Sequence, residues 1–98
     1  MDKIPWFVDQ INADTFVVGG DIDNDNVDGF CLALQKLPTH ICFDCSELEI
    51  EDGPAMAVIV SALRLLVPCT LIEAPRMLAH TLYKIDAGNI TLVRPRSY

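Results

Sequence analysis

The sequence predicts an α/β fold: a small mixed β-sheet with an N-terminal antiparallel hairpin and helices packed on it. Two observations carry this prediction. Strand-like and helix-like segments alternate along the chain after the hairpin. In addition, the stretch from His40 to Leu66 joins a strand with apolar residues on both sides of its pleat to a helix that is apolar all round. Both patterns are typical of the middle of an α/β layer.

The length of 98 residues predicts one domain covering residues 1–98. Apolar residues make up 51% of the chain, which indicates that some apolar surface stays open for a partner. The longest apolar run, Ala55 to Val60, is much too short to cross a membrane, and residues 1–5 lack the pattern of a secretion signal. We therefore expect a cytoplasmic protein that does not insert into the membrane.

The charge of −7 is unevenly distributed. Residues 1–52 carry two basic and twelve acidic side chains (2 − 12 = −10), whereas residues 53–98 carry five basic and two acidic ones (5 − 2 = +3). A nucleic-acid partner is not expected, because it needs a basic stripe and the chain offers only Arg94-Pro95-Arg96. A basic protein surface is the partner that this charge favours.

The N-terminal part predicts a hairpin followed by a helix. Two short strands, 6–11 and 15–19, are joined by a turn, and the Asp and Asn side chains of residues 20–26 are suited to capping the next helix. In that helix the apolar residues recur at spacings of three and four: Val27, Phe30, Cys31, Leu34 and Leu37. Pro38 then ends it.

The rest of the chain repeats a strand-helix pattern. A central strand over 41–45 leads into an acidic loop over 46–52, and Gly53-Pro54 opens a helix that reaches Leu66. Residues 69–72 form a buried strand. Pro75 starts a helix with Leu78, Leu82 and Ile85 on one face, and Gly88 stops it. Residues 90–93 supply a last short strand or an extended tail.

Three segments resemble the STAS domain of anti-sigma factor antagonists, stressosome proteins and sulfate-transporter tails. Residues 16–23 are similar to the family's strand ending in Gly-Glu-Leu-Asp, and residues 41–46 to its apolar strand ending in Asp-Leu-Ser. Leu48 and Ile50 fall where the family has apolar loop residues before its Asp-Ser-Ser-Gly or Asp-Thr-Gly-Gly box, which here reads Asp52-Gly53-Pro54-Ala55. The resemblance implies a non-enzymatic regulator whose box and following helix bind a partner ATPase.

The box departs from the family at the position that matters for switching. In switching members, a partner kinase phosphorylates a Ser or Thr directly after the box Asp, but Gly53 has no hydroxyl and neither has Pro54. Ser46 and Ser61 are poorly placed to replace it. The resemblance then leaves two kinds of partner open: an anti-sigma or stressosome kinase-like protein, or the ATPase of a lipid-transport ABC system.

We predict the partner-binding site at this corner. Its residues are Glu49, Glu51, Asp52, Gly53, Pro54 and Met56, with Glu47 continuing the acidic row. A purely structural role is compatible with docking, since Asp52 is suited to cap the helix and to favour its dipole.

Two alternatives remain open at this stage. The apolar helix 53–66 is buried between the sheet and a neighbouring helix, or part of it forms a dimer or partner surface. The rival function is an enzyme or a small-ligand domain that uses the helix N-terminus near Asp52 as an anion site. That function predicts a concave pocket lined by strand ends, whereas an interaction module predicts a flat or convex apolar patch rimmed by acids.

The other motifs in the sequence do not indicate a catalytic or metal-binding site. The segment from Asp21 has Asn26 and Leu32 where a calcium loop needs Gly and Glu. Cys42 and Cys45 are three apart on a strand, so their sulfurs diverge, and all four cysteines are expected to be buried free thiols. His40 and His80 have no nucleophile at a predictable spacing. We therefore expect no catalytic residue, no metal and no cofactor.

Overall fold

A five-stranded sheet carries three helices in the computed structural model, which describes residues 3–38, 40–66, 68–85 and 87–96. The strands are β1 (Phe7–Asn12), β2 (Thr15–Ile22), β3 (Cys42–Ile50), β4 (Cys69–Ile72) and β5 (Ile90–Val93). The helices are α1 (Val27–Gln35), α2 (Pro54–Leu65) and α3 (Arg76–Lys84). The predicted alternation of elements is confirmed, including the last short strand.

The spatial order of the strands equals their order in the chain, from β1 to β5. The hairpin strand β1 lies antiparallel at one edge, and β2 to β5 are parallel. Three right-handed crossovers that all step in the same direction place their helices on the same face of the sheet. The predicted fold class is therefore confirmed, and β3 is the central strand.

The core lies between this face and the helices. Strand residues that point toward the helices are almost fully buried, such as Val18, Phe43 and Leu71. Helix α2 contacts both α1 and α3. Its buried residues are Ala55, Met56, Ile59, Val60, Ala62 and Leu63. The interpretation of α2 as a helix held between the sheet and its neighbours is thus confirmed, although Leu65 remains 72% exposed.

The predicted acidic loop over 46–52 is wrong, because β3 continues to Ile50. An irregularity in the pairing with β2 places one extra residue between Asp44 and Glu47, where the Asp44 Oδ1 atom accepts the Ser46 N–H at 3.0 Å. This bulge shifts the inward-facing positions from Phe43 and Cys45 to Leu48 and Ile50. Simple alternation fails at the bulge, and for that reason the strand looked shorter in sequence.

Strand β2 is also longer than predicted and ends at Ile22. Residues 20–22 were expected in a turn, but Gly20, Asp21 and Ile22 pair with Leu48, Glu49 and Ile50 of the extended β3. The two strands lengthen together because each supplies the other's hydrogen bonds.

The second face of the sheet is not covered by any of the three helices, and we call it the open face. One row crosses it with a residue from every strand: Asp9, Val17, Asp44, Ile72 and Val93. Phe7, Gly19 and Glu47 form a neighbouring row, and a Cβ at Gly19 would lie 2.5 Å from the Phe7 ring. Thr15, Cys42, Thr70 and Thr91 form a third row.

Within the described residues, no helix has the length and hydropathy needed to cross a membrane.

Candidate functional site

A groove opens where β3 ends and α2 and α3 begin, and we call it the corner groove. It has a volume of about 400 Å³. The residues that line it are Glu49, Ile50, Asp52, Met56, Pro75, Arg76, Met77 and Arg96. The carboxyl ends of parallel strands meet the starts of their helices at this edge, which is where open α/β folds place their ligands.

Gly53 adopts a backbone conformation that favours glycine. It is the N-cap of α2, with φ of 100° and ψ of −135°. A side chain at a φ in this range is strained, although a Cβ built on Gly53 meets no atom within 4 Å. The strain is therefore set by the backbone alone. Glycine is therefore favoured at this position by the local path of the chain.

The N-terminus of α2 is capped from another loop. The Asn24 Oδ1 atom accepts the Ala55 N–H at 3.1 Å, and Gly53 offers no side chain for the purpose. Asp52 is exposed and does not cap the helix, so that expectation is wrong. The reason is the conformation of Gly53, which makes Gly53 the N-cap in place of Asp52.

The loop that carries Asn24 is itself held by side chains. The Asp23 Oδ1 atom accepts the N–H groups of Asp25 and Asn26 at 2.8 and 3.0 Å, and the Asn26 amide donates to the Asp21 carbonyl at 2.9 Å. Because the Val27 N–H also donates to the Asp23 carbonyl at 3.0 Å, Asp23 caps the turn that leads into α1. The predicted capping role is therefore confirmed for Asp23 at that turn, whereas Asn26, the N-cap of α1 itself, makes no side-chain cap bond.

Lys3 forms an ion pair with Asp23, and the two groups shift each other's titration. The hydrogen bond from Lys3 is the main cause that lowers the pKa of the Asp23 carboxyl, with burial opposing it. The same bond raises the pKa of Lys3 above 10.5. The pair joins the N-terminal segment to the loop that caps α2.

Arg96 lines the corner groove and is held there by hydrogen bonds. Its guanidinium donates to the carbonyls of Cys45 and Leu48 and to the Glu49 carboxylate, the last at 2.8 Å, and its Nε donates to the Glu73 carbonyl at 2.9 Å. The bulged strand β3 exposes these carbonyls to it. Glu49 is therefore part of an ion pair, with its side chain still 68% exposed.

The structure brings three of the six predicted site residues into the groove: Glu49, Asp52 and Met56. Glu51, Gly53 and Pro54 are exposed beside it. Met56 is only 7% exposed, so it presents little surface to a partner. Glu49 was expected in a loop and lies on β3.

Sequence reasoning missed the second half of the groove. Pro75, Arg76 and Met77 come from the start of α3, and Arg96 comes from the segment after β5. Met77 is 44% exposed. The available signal was Pro75 at the start of a helix, because the starts of successive crossover helices lie at the same edge of a parallel sheet. Arg96 gave no such signal.

Among the described residues, no cysteine or histidine lines the corner groove. All four thiols are free, and three are buried while Cys42 is half-buried, which corrects the expectation of four buried thiols. Burial raises the pKa of Cys45 to about 12 and that of Cys69 to about 11. Such thiols are poor nucleophiles at neutral pH. The described residues hold no cluster of His, Cys, Asp and Glu that could bind a metal ion.

Comparison with solved structures shows a similar fold in a protein of known structure. The Bacillus cell fate determinant SpoIIAA, solved in its phosphorylated form, superposes with a TM-score of 0.65. The alignment covers 91% of each chain, at 14% sequence identity. The chain has a STAS-like fold. This confirms the predicted resemblance at the level of the fold. No protein-family model and no curated protein sequence matches the chain.

Proposed function

We propose that this protein is a non-enzymatic interaction module that binds a kinase-like or other ATPase partner at the corner groove, without a phosphorylation switch at Gly53. The observation that carries the proposal is Gly53 itself: a residue without a hydroxyl, at a positive φ, at the start of α2 in a SpoIIAA-like fold. The proposed partner is an anti-sigma or stressosome kinase, or an ABC-transporter ATPase, and the site faces the cytoplasm.

The chemistry of the corner suits a protein surface. Glu51, Asp52 and Pro54 are exposed around the opening, and Met77 adds apolar area next to them. A mixed surface of this kind, with acids at the rim and aliphatic side chains within, is typical of a transient protein interface. The acidic rim favours a partner with a basic patch.

The test is charge reversal at Asp52. The chain is used to capture partners from its native cell, the captured ATPase is purified, and its affinity is measured for wild type and for Asp52→Lys. We expect about tenfold weaker binding, because a repulsive charge replaces an attractive one at the rim. Asp52 makes no cap bond to α2, so the variant should lose only about 0.3–1 kcal/mol of stability, through the helix dipole.

The matched control is Asp14→Lys, which makes the same charge change in the exposed β1–β2 turn. Equal weakening by both variants, or unchanged affinity in Asp52→Lys, would exclude docking at the corner.

Incubation with the partner and ATP should add no phosphate to the chain. A stoichiometric phosphate on Ser46 would contradict the absence of a switch.

A small anion is the second candidate ligand, because the corner is a concave groove into which the first turns of two helices open. This is the shape that the rival function predicted. Calorimetric titration with inorganic phosphate separates the two functions. Saturable binding that Asp52→Lys strengthens supports the anion, whereas binding of the ATPase alone supports the module.

A further inference from the structure

We propose that the open face of the sheet docks a basic amphipathic helix of a second protein, independently of the corner groove. The first argument is the architecture. Strands β2 to β5 are parallel, and parallel sheets are normally covered on both faces. Here the described helices cover one face only, so the described residues supply no second layer.

The open face carries apolar side chains that a second layer would bury. Phe7, Val17, Ile72 and Val93 are half-buried by their own neighbours in the sheet, yet none of them packs against the hydrophobic core. Val17, Ile72 and Val93 belong to the row that crosses all the strands. They form an aliphatic strip that a helix lying on the sheet would bury.

The charges on this face define the chemistry of the partner. The five strands contain no lysine, arginine or histidine. Asp44 interrupts the aliphatic row, Asp9 stands at its end on the edge strand, and Glu47 lies in the row beside it. The complementary surface is an apolar stripe flanked by lysine or arginine.

Charge also excludes the other occupants. A second copy paired about a two-fold axis would bring the same carboxylates against each other, and the whole chain has a charge of −7. Nucleic acid and anionic membranes are repelled for the same reason.

The probe is a synthetic amphipathic peptide with leucines on one helical face and lysines on its flanks, titrated into the isotopically labelled full chain and followed by NMR. We expect saturable shifts at the amides of Val17, Asp44, Ile72 and Val93. A scrambled peptide of the same composition should bind about tenfold more weakly, because it cannot present an apolar stripe.

Two double variants with the same change in net charge provide the decisive comparison. Asp9→Lys with Glu47→Lys reverses two exposed carboxylates on the open face, and Asp25→Lys with Asp28→Lys reverses two exposed carboxylates near α1. The first should weaken the peptide about tenfold and the second by less than about twofold. Thr91→Lys, which adds a cation at an exposed position of β5, is the second variant if the first fails to fold.

Equal effects of the two double variants, equal binding of the scrambled peptide, or shifts confined to the corner groove would each overturn the proposal. The proposal would also be overturned if sedimentation showed that the free chain is a dimer and that the double variant at Asp9 and Glu47 is a monomer. The occupant of the open face would then be a second copy of the chain. None of these variants replaces a residue that lines the corner groove, so failure here and failure of the ATPase interaction are distinguishable.

Discussion

At the corner, the residue whose conformation matters most is Gly53. The sequence shows a glycine after Asp52, but it does not show the backbone conformation of that glycine. The structure shows that a side chain at this position is disfavoured by geometry, because a φ of 100° strains any residue with a Cβ. The preference for glycine is therefore set by the path of the chain between β3 and α2.

Substitution at Gly53 tests this link. Gly53→Ser and Gly53→Ala should each lower the free energy of unfolding by about 1–3 kcal/mol, and by similar amounts, since the space around the Cβ is empty and only the backbone is strained. Urea unfolding measures the effect. Gly88→Ala is the control, because Gly88 also has open space around a Cβ but no positive φ. If Gly53→Ser is as stable as wild type, a residue with a side chain is not strained at this φ.

Single residues were only partly predictable. Asp52, Gly53 and Pro54 were correctly expected at a helix start because their types mark one. The actual cap, Asn24, was not predicted, because it lies 31 residues away and meets Ala55 only after the sheet has formed. A cap from a distant loop leaves no local pattern.

At the scale of elements, the bulge in β3 shapes the site. It carries the strand beyond its predicted end, lets Leu48 and Ile50 face the core side, and turns two carbonyls toward Arg96. The segment after β5 is thereby joined to β3 and to the loop after β4. This connection forms one wall of the corner groove.

Arg96→Ala should lower the free energy of unfolding by about 2 kcal/mol, because its hydrogen bonds carry a charge and their carbonyl partners lose a donor. Thermal unfolding measures the loss. Arg64→Ala removes the same charge from an exposed position on α2 and should change stability by less than about 1 kcal/mol. If the two variants unfold alike, Arg96 does not hold the segment in place.

Most helices and strands were predictable from the periodicity of the hydrophobic residues. The spacing of Val27, Phe30 and Leu34 predicted α1, and the apolar run after Pro54 predicted α2. The ends of β2 and β3 were missed together, since each depends on pairing with the other across the bulge. Pairing over such a distance in sequence is a tertiary property that periodicity does not report.

At the scale of the whole molecule, charge is distributed by layer. The cationic side chains lie in helices and connecting segments, whereas every charged side chain in the strands is a carboxylate. Lys3 is one such cation and binds Asp23 across the end of β2. This ion pair makes the stability of the protein depend on pH.

The lowered pKa of Asp23 gives the sign of this dependence. Its contribution to stability is fully present above the ordinary carboxyl pKa of 3.8 and is lost as the pH falls through the lower folded value. The raised pKa of Lys3 adds stability that is present below pH 10.5 and is lost as the pH rises through its folded value. We expect Lys3→Met to be less stable than wild type at pH 7.

The urea midpoint, measured between pH 2 and pH 7, checks this expectation: the gap between the two proteins should close below about pH 4. Lys36→Met removes a charge from an exposed position after α1 and serves as the control. A gap between wild type and Lys3→Met that stays constant over the range would show that the ion pair does not contribute.

The geometry of Gly53 also bears on how this protein could change over generations. A mutation to serine at this position would add a hydroxyl only together with a folding defect, so selection would act against it before any kinase could use it. Under the proposed function, gaining a phosphorylation switch here would first require the connection between β3 and α2 to be rebuilt. The backbone therefore limits which kinds of regulation the corner can acquire.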